Sequence, residues 1–225
     1  MTARGLYGSM LNGVAVTDAI FTPDYTSYKH LIMYQVYDVT DLLCAGINVW
    51  GASLADGWFA GRISTQGNSA QYGDRLSLLG EIEIVYADGS NELIGTDSFW
   101  RSATERYVYS DIQIGEKQDL RLADDAWPVT PDVDGWDEVT VVDPPEAMVI
   151  EQEGPLVKRM DLLDACSCWQ EDDATVVDFG QVVAGRVRFE VWLSEGQEIK
   201  IEHAEVLDAE GRFFHNIIGR NKDAV

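Results

Sequence analysis

A chain of 225 residues with 46 % hydrophobic side chains is long enough for one large domain or two small ones, and apolar enough to bury a core. Its 16 Lys and Arg stand against 39 Asp and Glu, a formal charge of −23. That balance excludes nucleic acid as a partner, because phosphate binding needs a basic footprint, and it equally excludes an anionic membrane surface. A neutral sugar stays compatible with so acidic a protein, although solubility is the first explanation of the charge.

In chain order, the dominant period is two. Residues 7–11 run into Asn12-Gly13, a pair that tolerates positive φ and predicts a hairpin. Residues 40–45 predict a single helical turn with Thr40 as its cap. Over residues 76–86, Leu76, Leu78, Gly80, Ile82, Ile84 and Tyr86 alternate with Ser77, Glu81 and Glu83, the pattern of a half-buried strand. Ala87-Asp88-Gly89-Ser90 then predicts a second hairpin turn. Asp143-Pro144-Pro145-Glu146 is extended punctuation, so a boundary is expected there, dividing residues 1–143 from 144–225. In the second part Val187, Phe189, Val191 and Leu193 share one strand face, Gly196 allows a turn, and Ile199, Ile201 and His203 continue opposite Glu198, Lys200 and Glu202. Trp192 falls on the polar face of its strand, which predicts either an exposed sugar platform or, in preference, burial against a neighbouring domain. The expected fold class is all-β: a jelly-roll β-sandwich followed by an incomplete second β-sandwich, since the 14 residues after Gly211 are too few to close one. An incomplete sheet exposes edges that invite pairing with a second copy of the chain, so a homo-oligomer is an expected partner state.

No catalytic constellation stands out. Glycoside hydrolysis needs two carboxylates across a cleft, and 39 acidic residues single out no pair. His30, His203 and His215 lie outside any nucleophile-elbow context, and His203, on an apolar strand face, is read as a core histidine. No phosphate-binding loop or dinucleotide fingerprint is present. Three cysteines, Cys44, Cys166 and Cys168, make no disulfide framework or zinc spacing, and no metal site is assigned. Localisation stays open, with a reduced, cytoplasmic compartment favoured by the odd cysteine count. No signal peptide and no bilayer-spanning stretch are visible.

The seven Trp and nine Tyr supply rings that pack on the C–H faces of sugars while a flanking carboxylate or amide meets the hydroxyls. Two glycine-bounded loops offer that mixture: Asp56-Gly57-Trp58-Phe59 and Tyr72-Gly73-Asp74-Arg75. The candidate sugar-binding residues are therefore Asp56, Trp58, Tyr72, Asp74 and Arg75. The competing and preferred reading makes Trp58, Phe59 and Tyr72 core or loop anchors.

Several strings in a shared order resemble the N-terminal domain of bacterial α-L-rhamnosidases. They are Gly5-Leu6-Tyr7 leading to Asn12-Gly13, the run from Thr22-Pro23-Asp24-Tyr25 to Tyr28, and the run from Tyr34-Gln35 through Asp38-Val39-Thr40-Asp41 to Leu43. They continue with Asp56-Gly57-Trp58-Phe59, Tyr72-Gly73-Asp74-Arg75, Tyr86-Ala87-Asp88-Gly89, and Gly115-Glu116 before Asp119 and Arg121. Val177-Asp178-Phe179-Gly180 and His203-Ala204-Glu205 resemble the family's next, concanavalin-like β domain. The resemblance implies a non-catalytic β portion that braces an (α/α) catalytic barrel as its partner, in a parent that hydrolyses terminal α-L-rhamnosides. The alternative it implies is a module binding rhamnose-containing carbohydrate. Some family members use calcium for that purpose, but no loop here has the alternating Asp/Asn spacing of a calcium cage.

Overall fold

The structure is a computed structural model that describes residues 1–63 and 67–214; His215 lies outside the described residues. The chain is all-β, with one α-helical turn at Gly57–Ala60 and 3₁₀ turns at Thr40–Leu42 and Leu120–Leu122 among the described residues. No helix is long and apolar enough to cross a membrane.

The first hairpin follows from local chemistry. Asn12 (φ 52°) and Gly13 (φ 80°) both adopt the left-handed region, giving the two-residue turn whose twist matches its strands. The turn folds Val14–Ala15 back onto Leu6–Leu11, with Leu11 opposite Val14. The other edge of Leu6–Leu11 pairs with Trp50–Ala55, from Leu6 opposite Ala55 to Leu11 opposite Trp50. Tyr7, Ser9 and Leu11 face the buried side of this sheet, which leaves Gly8 and Met10 on the outer side. Asn12 also clamps the next loop: its Nδ2 donates to the Leu42 carbonyl (2.9 Å) and to Asn48 Oδ1 (2.7 Å).

Two local expectations need correction. Residues 40–42 do make a turn, but Thr40 is not its cap. Asp38 Oδ1 instead accepts from the Thr40 amide (3.0 Å) and hydroxyl (2.6 Å), the carboxylate folding forward onto the N–H two residues on. Residues 76–86 are two strands, Ser77–Leu79 and Glu81–Val85, which pair with Thr2–Arg4 and Asn91–Gly95 respectively. The break falls at Gly80, where a Cβ would come within 2.8 Å of the Trp50 ring; the chain can pass that ring only without a side chain. The Asp88-Gly89 turn forms as expected, with the Tyr86 amide donating to the Ser90 carbonyl (2.8 Å).

After the Pro144-Pro145 punctuation, Met148–Glu151 pairs in parallel with Leu31–Tyr34. The Ile20 amide donates to the Val157 carbonyl (2.9 Å), and Lys158 Nζ meets Asp18 Oδ1 at 2.7 Å. Residues 146–158 are thus built onto the first unit, across the expected 143/144 division. A polar chain locks them there. Tyr7 Oη donates to Gln35 Oε1 (2.7 Å), Gln35 Nε2 donates to Gln152 Oε1 (2.5 Å), and Gln152 Nε2 donates to Asp24 Oδ2 (3.3 Å).

The second part is sparser. Ser167–Glu171 and Ala174–Asp178 form a hairpin, as do Val206–Leu207 and Phe213–Phe214. Between them the expected strands at 187–193 and 199–203 join no ladder among the described residues. The turn at Gly196 does form, with the Gln197 amide donating to the Ser194 carbonyl (3.0 Å). Alternation prepares a face for a sheet but does not supply the neighbouring strand, and Val187, Phe189, Val191 and Leu193 all remain exposed. His203 is likewise at the surface rather than in a core.

Burial is confined to the first unit. Tyr28, Ile32, Phe59 and Ala147 form its central cluster, with Ala3, Tyr7 and Leu11 buried beside the amino-terminal strands. Among the described residues, none after Ala147 is buried. The chain exposes 16238 Å² where scaling for a self-contained monomer of 25.0 kDa gives roughly 10,000 Å². The excess is apolar in part, and Trp192 is 98 % exposed.

Candidate functional site

The two candidate loops meet at the α-helical turn. Gly57 (φ +53°) starts it where any Cβ would fall 2.5 Å from Leu6 Cγ, so only glycine fits between helix and strand. The Ala60 amide donates to the Asp56 carbonyl (3.1 Å) and closes the turn. Consecutive side chains then point in different directions. Phe59 enters the core edge-on to Tyr28 (centroids 5.4 Å apart, 84° between planes), while half-buried Trp58 lies against Phe21 and Tyr25, each at 5.6 Å. Tyr72 reaches the same cluster through Tyr28, at 5.2 Å. Gly73 follows it, where a Cβ would stand 2.7 Å from the Phe59 ring.

Trp58 and Tyr72 are therefore brought together, both packed on the Tyr28–Phe59 core, as the anchoring reading expects. The other three candidates are not part of this cluster. Asp74 and Arg75 are exposed, and no ion pair joins them among the described residues. Asp56 is half-buried, its side chain does not cap the helical turn, and it lies within the field of Asp111. Burial, and secondarily the Asp111 charge, holds the Asp56 carboxyl above the usual carboxylate range. Asp111 itself anchors backbone, accepting from the amides of Arg62 (2.8 Å) and Gln113 (2.7 Å).

Around the rings, a hydrogen bond with Tyr72 and then burial raise the Tyr25 phenol above its ordinary pKa. The Tyr28 phenol is raised chiefly by burial and donates to the Asp24 carbonyl (2.9 Å). Phe21 (φ 62°) and Asp24 (φ 81°) flank a turn in the left-handed region, a rare conformation for a bulky ring, and it is this turn that presents Phe21 to Trp58. Arg186 places its guanidinium 5.4 Å from the Phe21 centroid. Sequence reasoning missed Arg186 and Phe21, because nothing local marks either as a neighbour of Trp58. The resulting surface combines the half-buried rings of Trp58 and Tyr72 with the exposed ring of Tyr25.

Elsewhere, Arg121 grips Asp119 through Nε (2.8 Å) and Nη2 (2.5 Å), and those bonds push the Asp119 carboxyl down to about 2. Among the described residues no group of three or more His, Cys, Asp or Glu is placed to hold a metal ion.

Comparison with known proteins agrees along the chain. A family model for the α-L-rhamnosidase N-terminal domain matches residues 1–161, and one for the bacterial α-L-rhamnosidase concanavalin-like domain matches residues 169–224. An α-L-rhamnosidase of Streptomyces avermitilis is 35 % identical over 217 residues, covering 95 % of this chain and 21 % of the relative. One from Formosa agariphila is 30 % identical, again over 95 % of this chain and 23 % of the relative. The crystal structure of the Streptomyces avermitilis enzyme complexed with L-rhamnose superposes with a TM-score of 0.90 at 34 % identity, covering 95 % of this chain and 21 % of that one. The native enzyme from Aspergillus terreus gives a TM-score of 0.74 at 34 % identity, over 80 % of this chain and 21 % of that one. This chain thus spans about a fifth of the length of the relatives it matches. With the matched domain running through the whole region that buries a core, the chain belongs to the α-L-rhamnosidase N-terminal domain family.

Proposed function

We propose that this chain is the non-catalytic β portion of an α-L-rhamnosidase, bracing an (α/α) catalytic barrel, and that the whole enzyme removes terminal α-L-rhamnose from glycosides. The observation that carries the reading is the unpartnered apolar face of residues 187–193, with Trp192 98 % exposed beside it. Large exposed apolar faces mark surfaces that another domain covers. The relatives, about five times longer, have room for that domain. On this reading the first unit runs to about residue 161, where the family match also ends.

Amide hydrogen exchange tests the brace. Residues 182–204 should exchange rapidly in this chain and at least about tenfold more slowly in the longer enzyme, because docking gives their backbone partners. Equal rates in both would sink the proposal. Release of p-nitrophenol from p-nitrophenyl α-L-rhamnoside should come from the longer enzyme alone.

One observation favours a second reading, a carbohydrate-binding module. The half-buried Trp58 stands in a ring cluster beside a turn with two residues at positive φ, and the Streptomyces avermitilis relative was crystallised with L-rhamnose. Trp58→Ala would then weaken rhamnose binding by about 1 kcal/mol. Unchanged affinity would return Trp58 to a packing role.

A further inference from the structure

We propose that the groove between residues 35–40 and Glu81–Val85 is the berth of a β-strand, namely the stretch of polypeptide directly before Met1 in a longer form of this chain, apolar on one face and cationic on the other. The groove has a volume of about 670 Å³. It is lined by every residue of Glu81–Val85 and by consecutive residues from Tyr34 to Thr40, with Met1 and Thr2 beside them.

Two registers converge on it. Thr2, Ala3 and Arg4 stand opposite Leu79, Leu78 and Ser77 in antiparallel order, so Met1 falls opposite Gly80. A Cβ on Gly80 would come 3.2 Å from Met1 Cε, as that pairing requires. On its other side Met1 pairs with Gln35. The Met1 amine donates to the Gln35 carbonyl (2.8 Å) and the Gln35 amide donates to the Met1 carbonyl (2.9 Å), the reciprocal exchange of an antiparallel ladder. Continued upstream in these registers, the first residue before Met1 stands between Val36 and Glu81, the second between Tyr37 and Ile82, and the third between Asp38 and Glu83. Burial lowers the pKa of the Met1 ammonium, whereas a peptide N–H in its place keeps the bond to Gln35 and puts no charge in the groove.

Both walls turn backbone groups towards that strand. The Thr96 amide donates to the Gly80 carbonyl (3.0 Å) and the Tyr86 amide to the Ser90 carbonyl (2.8 Å), so the even-numbered residues here direct their backbone towards Asn91–Gly95. By alternation Glu81, Glu83 and Val85 direct theirs into the groove, as does Tyr37, two residues beyond the Gln35 pair. Such an open edge takes a further strand. The side chains specify its pattern. Tyr37, Val39, Ile82 and Ile84 are half-buried and favour apolar second and fourth residues. Asp38, Glu81 and Glu83 are exposed on the opposite face, and no Lys or Arg lines the groove. The third residue, between Asp38 and Glu83, is therefore suited by Lys or Arg. A second copy of this chain, at −23, brings the same sign of charge to these carboxylates. The relatives have ample chain outside the region they share with this one.

The assignment rests on reading this chain as part of a longer one. The test adds the segment Arg-Val-Arg-Val-Thr directly before Met1 and follows amide hydrogen exchange. The amides of Tyr37, Glu81, Glu83 and Val85 should exchange at least about tenfold more slowly than in the unextended chain. Glu-Val-Glu-Val-Thr should protect them about fivefold less, and Glu83→Lys should reverse that preference. Arg-Pro-Arg-Pro-Thr keeps the charge but cannot complete the ladder, so it should protect none of them. Equal exchange with and without the extension would overturn the assignment, as would equal protection by the proline segment or an unchanged preference in Glu83→Lys. So would protection in the unextended chain that rises with its concentration, which would seat a second copy in the groove. The brace is judged by exchange at residues 182–204 in the longer enzyme, so either reading can fail while the other stands.

Discussion

Residues 1–161 and residues 162–214 carry the same alternation of apolar and polar side chains, yet only the first stretch buries any of them. In the first, Tyr7, Ser9 and Leu11 point inward because Leu6–Leu11 has a strand on each side and a layer beneath. In the second, Val187, Phe189, Val191 and Leu193 have the same spacing and no neighbouring strand. Period two is therefore a statement about which faces a strand would have. Whether those faces are covered depends on chain brought from elsewhere, and the family's longer members supply far more chain.

The sharpest way to break this comparison is a matched pair of truncations. Phe59→Ala removes a ring packed edge-on to Tyr28 and should cost about 3–5 kcal/mol in chemical denaturation, whereas Phe189→Ala, 53 % exposed, should stay within about 0.5 kcal/mol. Equal losses would mean that the second region packs more tightly than described. Gly57→Ala should cost about 2 kcal/mol, since its Cβ would be driven into Leu6 at a positive φ; a neutral result would show that the helical turn can slide off the strand.

Smaller effects sharpen the picture of the first unit. The Asp56 carboxyl is raised, so the folded state holds its proton to higher pH than the unfolded chain. Stability should therefore fall as pH rises from about 3.9 through the raised value. Asp56→Asn should remove that decline in a series of melts, and an unchanged pH profile would show that burial does not raise the Asp56 carboxyl. The smallest expected change is at Asp119. Arg121→Ala should let its carboxyl climb from about 2 towards the ordinary range in a carbon-detected NMR titration, with little effect on unfolding because the pair is exposed.

What was legible in the sequence was what neighbours decide. Asn12-Gly13 and Asp88-Gly89 form their turns because two or three residues carry all the conformational information. The break at Gly80 was not legible, since its cause is a tryptophan ring from residue 50. Nor was the parallel pairing of Met148–Glu151 with Leu31–Tyr34, which a proline pair seemed to put in another domain. The candidate loops were found by composition, which did not show that Trp58 and Tyr72 share one cluster. It could not see that Asp56 faces Asp111, or that Asp74 and Arg75 extend into solvent.

The link from Gln35 to Gln152 spans 117 residues, and Ala147 completes the cluster around Tyr28. A ribosome adding about 5–20 residues per second would need on the order of ten seconds to deliver the second half of that bond after the first. Throughout that interval the nascent amino-terminal strands have emerged with their ladder edge open and their core lacking a wall. Closure of this fold therefore rests on contacts distant in sequence, the kind that form late for topological reasons.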